Sequence, residues 1–304
     1  MMETKTEPKE RRSFLKKLLI APALFSTSLT YGETEKSFVS PLKLSLNAYS
    51  FNDLLLGNKM SLEELLQFCY DEGIGAVDIT AYYFQGYPLV PSDEVLFQFK
   101  RKALQLGIEI SGTGVRNDFT DQTKQNEQVQ VVKNWIVAAS KIGAPVIRIF
   151  SGNRNPNGAE REAMQLQVIS AVKECVEFGK QQGVVVAVQN HNDFIQTADQ
   201  ALDFIRQVNS DWFGLVVDAG SFRQSDPYLE TAKTARHAVN WQIKEKVFVN
   251  GVEVDTDINR LIKIVIDSGY KGYIPIETLG KGDPKLKVIA WVAKVRKALE
   301  SYHN

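Results

Sequence analysis

From Pro41 onward, the apolar and polar positions change period in a repeating way. Short runs of β-type character are followed by a loop and then by a longer amphipathic stretch. The strand-like runs are LKLSLNAYS (42–50), GAVDIT (75–80), GIEISGT (107–113), APVIRIFSG (144–152), GVVVAVQN (183–190), FGLVVDAG (213–220), AVNWQIK (238–244) and GYIPIET (272–278). Helical patterns lie between them. SLEELLQFCYDEG places Leu62, Leu65, Leu66 and Cys69 on one helical face behind a Ser61 cap, with Glu64 positioned to close a capping box. AEREAMQLQVISAVKECVEFGKQQG and DPKLKVIAWVAKVRKALE show a similar period, and several helices stop at glycine.

Strands alternating with helices predict an α/β protein with a parallel sheet. Eight units in about 260 residues match a single closed (β/α)8 barrel, the TIM barrel, which typically takes ~250 residues. An open doubly wound sheet would carry a glycine-rich turn after its first strand. Here that strand ends in NAYSFND, with no such turn.

Alternation within the strands gives their facing. Helices cover the outside of a barrel, so the apolar set of each strand faces them. In VNWQIK that set is Val239, Trp241 and Ile243, leaving Asn240, Gln242 and Lys244 to face the interior. By the same rule Ser45, Asn47 and Tyr49 face inward from the first strand, Asp78 and Thr80 from the second, and Arg148 from the fourth. Gln189 and His191 share the face of small Ala187, and Asp218 and Glu277 are the last inward positions of their strands. Inward polar residues at the C-terminal ends of barrel strands are where this architecture places its chemistry. Asp218 and Glu277 each end a very apolar strand, and a buried carboxylate without a partner costs several kcal/mol. Arg148 has a structural alternative, pairing with Asp78 or Glu109. His237 and His303 read as surface residues.

The first 32 residues do not fit the repeat. ERRSFLKKLLIAPALFSTSLTYGE has a basic start and an apolar middle broken by Pro22, followed by small and polar residues. It reads as a secretory signal over 1–32, too interrupted for a membrane span. Arg11–Arg12 followed by Ser13, Phe14, Leu15 and Lys16 resembles the twin-arginine motif. Residues 33–41 then form a linker and 42–304 the barrel. The expected location is the periplasm, with no stable membrane anchor after cleavage.

Composition narrows the partners. Thirty-six basic and 36 acidic residues cancel, so the chain gives no global electrostatic case for nucleic acid. Two cysteines on separate predicted helices, Cys69 and Cys175, read as buried small hydrophobes without disulfide or metal spacing. No motif sets an oligomeric state.

Taken in order, AVDIT, GAPVIRIFSG, VAVQNHND, WFGLVVDAGSFRQSDPY, AVNWQIK and GYIPIET resemble the xylose-isomerase-like sugar isomerase/epimerase superfamily of TIM barrels, the group that also contains endonuclease IV. The resemblance covers about residues 42–300. It implies a small-molecule sugar substrate and a divalent metal held at the ends of strands five to eight. The ligand positions here are Gln189, Asp218, Gln242 and Glu277. Gln189 stands where the family usually has Glu, Gln242 where it has His, and Ser221 where a His often follows the strand-six Asp. Two carboxylates and two amide oxygens suit Mg²⁺, Mn²⁺ or Ca²⁺ better than Zn²⁺. The resemblance implies proton transfer next to a carbonyl through an enediolate, with Glu277 as the surviving acid/base and Lys244 or His191 as its partner. An amide at Gln189 cannot be a second base near neutral pH. Asn47, Tyr49, Asp78, Arg148 and Asn240 are the expected substrate contacts. Two further readings stand beside this one: a lyase or hydrolase acting on an oxidised (keto) glycoside, and a non-catalytic sugar-binding barrel. DNA repair of the endonuclease type would need a histidine-rich metal cluster and a basic groove, and the chain has three histidines and no net charge.

Overall fold

The structure, a computed structural model, describes residues 42–302. The signal, the linker and His303 lie outside them. Eight parallel strands close into a barrel: β1 (Lys43–Asn47), β2 (Ala76–Thr80), β3 (Glu109–Gly114), β4 (Val146–Ile149), β5 (Val185–Gln189), β6 (Phe213–Asp218), β7 (Ala238–Lys244) and β10 (Tyr273–Glu277). Neighbours follow chain order round the ring, and β1 closes it against β10. The helices are α1 (Asn52–Leu56), α2 (Leu62–Asp71), α3 (Asp93–Leu106), α4 (Gln125–Ile142), α5 (Gly158–Gln182), α6 (Ala198–Val208), α7 (Pro227–Thr234), α8 (Ile258–Asp267) and α9 (Pro284–Glu300). The expected α/β barrel is therefore the fold.

Local signals act as their chemistry requires. The Ser61 hydroxyl accepts from the Glu64 N–H and the Glu64 carboxylate accepts from the Ser61 N–H, which fixes the start of α2. Gly107, Gly143 and Gly183 end α3, α4 and α5 with positive φ, a conformation that costs glycine nothing. Outward strand residues such as Leu46, Val77, Ile79, Ile147, Val217, Trp241, Ile243 and Ile276 are fully buried in one core between sheet and helices. Burying each aliphatic side chain contributes roughly 1.5–3 kcal/mol, and this layer holds the barrel walls in place.

Two features depart from the sequence expectation. The first is a hairpin between the last two barrel strands, β8 (Lys246–Val249) and β9 (Val252–Asp255), paired antiparallel. Asn250 and Gly251 turn it with φ of 51° and 78°, the Asn-Gly turn that matches strand twist. The second is Val239, expected to face the helices. Leu215 pairs with Ala238 but Val216 pairs with Asn240, so β7 has one extra residue there. The bulge turns Val239 inward against Val146, Ala187 and Val216, a small apolar cluster inside the barrel. Gly214 makes the room, because a Cβ there would sit 2.5 Å from a Val239 methyl.

Candidate active site

The inward residues stack in layers that become more polar toward the C-terminal ends of the strands. Low in the barrel the Ser45 and Ser111 hydroxyls share a 2.6 Å hydrogen bond. In the middle, Asn240 donates to Asp78 at 2.7 Å, from β7 to β2 across the interior. Burial pushes the Asp78 carboxyl up, opposed by the Asn240 hydrogen bond and by the charge of Arg148.

The top layer holds the chemistry. Asp218, fully buried, receives three donors on Oδ2: Lys244 Nζ at 2.6 Å, Ser221 Oγ at 2.7 Å and Gln189 Nε2 at 2.9 Å. Gln189 Nε2 also donates to Gln242 Oε1 at 2.8 Å. Lys244 Nζ lies 3.7 Å from Glu277 Oε1, so one ammonium serves two carboxylates. Register makes this possible, since Asp218 pairs with Gln242 and Glu277 with Lys244 on adjacent strands. Asn190 braces the layer from behind, donating to the Asp218 carbonyl oxygen and accepting from its N–H.

The electrostatics follow from burial and proximity. Burial pushes the Glu277 carboxyl above its ordinary value; Lys244 and Arg148 oppose the rise and Asp218 adds to it. For Lys244, burial alone would lower the ammonium. The Asp218 and Glu277 carboxylates and the hydrogen bond to Asp218 outweigh it and hold Lys244 above its ordinary value. Lys244 is therefore charged at neutral pH.

This layer floors a cavity of about 330 Å³ at the C-terminal mouth of the barrel. Of the expected site residues, Asn47, Tyr49, Arg148, Gln189, His191, Gln242, Lys244 and Glu277 line it together. Asp218 sits just behind, and Asp78 and Asn240 lie one layer down, engaged with each other. Those two brace the floor; their expected role as substrate contacts does not match this placement. Arg148 pairs with neither of the carboxylates considered for it. Glu109 is at the start of β3, bonded to Lys43 and Tyr273. His191 is at the rim, stacked on Phe150 with ring centroids 4.6 Å apart, and its Nδ1 is 3.5 Å from an Asp193 oxygen.

Sequence reasoning missed Tyr82, Arg116, Asn117, Phe150, Asn153, Arg223 and Leu279, which complete the wall. All follow strand ends, where period-2 alternation no longer reports facing. The signal available was position alone: loops after barrel strands build the site.

Gln189, Asp218, Gln242 and Glu277 do come together as the resemblance implies. Their arrangement does not fit a divalent cation. Gln189 turns its NH₂ into the cluster, and a hydrogen-bond donor aimed at a cation repels it. The Lys244 ammonium already stands between Asp218 and Glu277, where the metal's charge would be. Gln189 Oε1 and Asp218 Oδ1 have no donor, but even with the Glu277 carboxylate added they fall short of the six or more oxygens that hard cations gather. Among the described residues, no group of three His, Cys, Asp or Glu is placed to hold a metal.

Comparison with known proteins agrees with this architecture. A family model described as xylose isomerase-like TIM barrel matches residues 66–301. A xylose isomerase-like TIM barrel protein from Mycobacterium smegmatis, solved in complex with magnesium, is 18% identical, with a TM-score of 0.67 over 88% of this chain and 100% of that one. D-Psicose 3-epimerase with D-tagatose from Clostridium cellulolyticum H10 is 14% identical, with a TM-score of 0.68 over 84% of this chain and 99% of that one. The 3-keto-D-glucoside 4-epimerase from E. coli is 11% identical, with a TM-score of 0.67 over 85% of this chain and 100% of that one. No curated protein matches the sequence.

Proposed function

The chain belongs to the xylose isomerase-like TIM-barrel family, and on that premise we propose that it is a sugar isomerase working with a single carboxylate base. The observation that carries the reading is Glu277. It is a buried carboxylate at the end of the last barrel strand, facing a sugar-sized cavity, with a charged lysine 3.7 Å away. Similarity to a D-psicose 3-epimerase and a 3-keto-D-glucoside 4-epimerase supports a small-molecule sugar as substrate.

The chemistry follows from what each group does. Glu277 takes the proton from the hydroxyl-bearing carbon beside the carbonyl. The Lys244 ammonium stabilises the oxygen on which enediolate charge develops. Glu277 then returns the proton to the neighbouring carbon, while the hydroxyl proton moves from one oxygen to the other. A raised carboxyl pKa makes the ionised form a stronger base. Gln189, bonded to Asp218 and to Gln242, fixes with Gln242 a pair of amides that orient hydroxyls. Inverting a stereocentre needs proton donors on both faces of the sugar. With an amide at Gln189 the site has a carboxylate on one face only, which favours aldose–ketose isomerisation over epimerisation. No step passes through a metal; Lys244 supplies the positive charge.

The test is solvent exchange. Wild-type protein incubated with aldoses and ketoses in D₂O should place deuterium on the carbon next to the carbonyl, followed by NMR. Glu277→Gln should lower that rate by roughly 10²–10⁴, the usual share of a general base. Sugar binding without exchange in wild type would instead establish a non-catalytic sugar-binding barrel.

A further inference from the structure

Among the described residues, three arginines around the cavity make no contact ion pair, and we infer that the substrate supplies the anion: it is a sugar bearing an oxyanion, a carboxylate or a phosphate. The inference rests on the sugar-active reading above and specifies its substrate class. Arg148 is the anchor. It is buried to 6% exposure, and its Nη1 donates to the Val115 carbonyl oxygen at 2.6 Å. One face of its guanidinium lies 4.1 Å over the Phe150 ring. Gly114 also lies against it, where a Cβ would come within 2.8–2.9 Å of Nε and Cζ. Only glycine lets the backbone approach so closely. Held by Phe150, Gly114 and the Val115 carbonyl, the guanidinium has little freedom left, and it lines the cavity.

Arg116 and Arg223 repeat the pattern at the rim. Arg116 Cζ lies 4.9 Å over Tyr82 and Arg223 Cζ lies 4.0 Å over Phe248. None of the three is in an ion pair among the described residues. The charge around the cavity is lopsided as a result. Its lining carries Arg116, Arg148, Arg223 and Lys244 against one carboxylate, Glu277. Asp218 behind the floor is spent on Lys244, and Asp78 is held by Asn240. The charges of Asp78 and Glu277 reach Arg148 without touching it, which leaves its N–H edge without a carboxylate contact, and stacked arginines with open N–H edges are the arrangement that grips planar or tetrahedral oxyanions through paired hydrogen bonds. A neutral sugar needs amides and carboxylates for its hydroxyls, which the floor already provides, and has no use for three unpaired guanidinium groups.

Three probes decide the matter by calorimetry: fructose, fructose 6-phosphate and glucuronate. At least one charged probe should bind about tenfold or more tightly than fructose, with affinity falling as salt rises. Preference between the two assigns the oxyanion as phosphate or carboxylate. Arg148→Gln should erase the preference. Arg116→Gln and Arg223→Gln, both at exposed positions, should each reduce it several-fold and keep the test open if the buried variant fails to fold. Equal binding of all three probes, no binding of any, or a preference indifferent to all three arginines overturns the inference. Equal binding with Glu277-dependent exchange leaves the isomerase reading standing, whereas charge-selective binding without exchange keeps the oxyanion and removes the catalysis.

Discussion

Lys244 neutralises two buried carboxylates, which makes its loss unlike that of a surface lysine. Lys244→Met strips from fully buried Asp218 the only cation paired with it among the described residues, and urea denaturation should show a loss of about 3–5 kcal/mol, the usual cost of orphaning a buried charge. Lys263→Met, which breaks an exposed pair with Asp267, should scarcely register. Glu277 ties stability to pH with a definite sign. Its folded pKa lies above its unfolded one, so the native state holds the proton more tightly. Its contribution is greatest at low pH and declines as pH rises from the unfolded value of 4.5 through the raised folded value. The same shift should move the acid limb of the kcat/KM profile above the ordinary glutamate range, and a limb at or below 4.5 would count against Glu277 as the base. Gln189→Glu tests the metal question directly. Wild-type melting should be indifferent to EDTA and Mn²⁺, whereas the variant, with a third carboxylate on the floor, should be destabilised in EDTA and rescued by Mn²⁺. Gln189, Asp218, Gln242, Lys244 and Glu277 were legible as inward-facing neighbours because strand alternation reports facing. Which end of the Gln189 amide faces the cluster was not, since hydrogen-bond partners from other strands decide it.

Strand β3 shows what an element contributes beyond its own residues. Gly112 and Gly114 carry no side chain where Asp78 and Arg148 need space: an added Cβ at Gly112 would lie 2.9 Å from Asp78 Oδ2. Gly114→Ala should therefore push Arg148 out of its clamp. The expected result is overpacking of about 1–3 kcal/mol in a thermal or urea melt, together with loss of discrimination between fructose and its phosphate. Unchanged discrimination would mean that the clamp does not set the guanidinium. Barrel order and helix starts were readable from the sequence, because period and caps are local. The β8–β9 hairpin was written there too, in the Asn250–Gly251 turn, but a strict strand–helix alternation leaves no slot for it. The Val239 bulge was not readable, because two strands must be paired before a surplus residue shows. Phe248 on that hairpin stacks on Arg223, so the element the alternation hides also shapes the rim of the cavity.

At the scale of the whole chain, the two thiols report on integrity. Cys69 and Cys175 are buried and unpaired, and burial pushes both up to about 12. A thiol reagent at pH 8 should find neither in the native protein and both after denaturation; native reactivity at either position would mean that the helices open. The export proposal concerns residues outside the described part. Lysine at both Arg11 and Arg12 should retain the precursor in the cytoplasm, while the wild-type sequence should appear in the periplasm shortened near residue 32; full-length protein confined to the cytoplasm would end the proposal. The pairing of Lys43 with Tyr273 has a consequence for synthesis. The first strand of the ring waits, with one edge bare, until the last strand has left the ribosome. Chains stalled before Tyr273 should be degraded quickly by added protease and chains stalled well beyond Glu277 should survive, so that the final turn of the barrel serves as a proofreading step against truncated products.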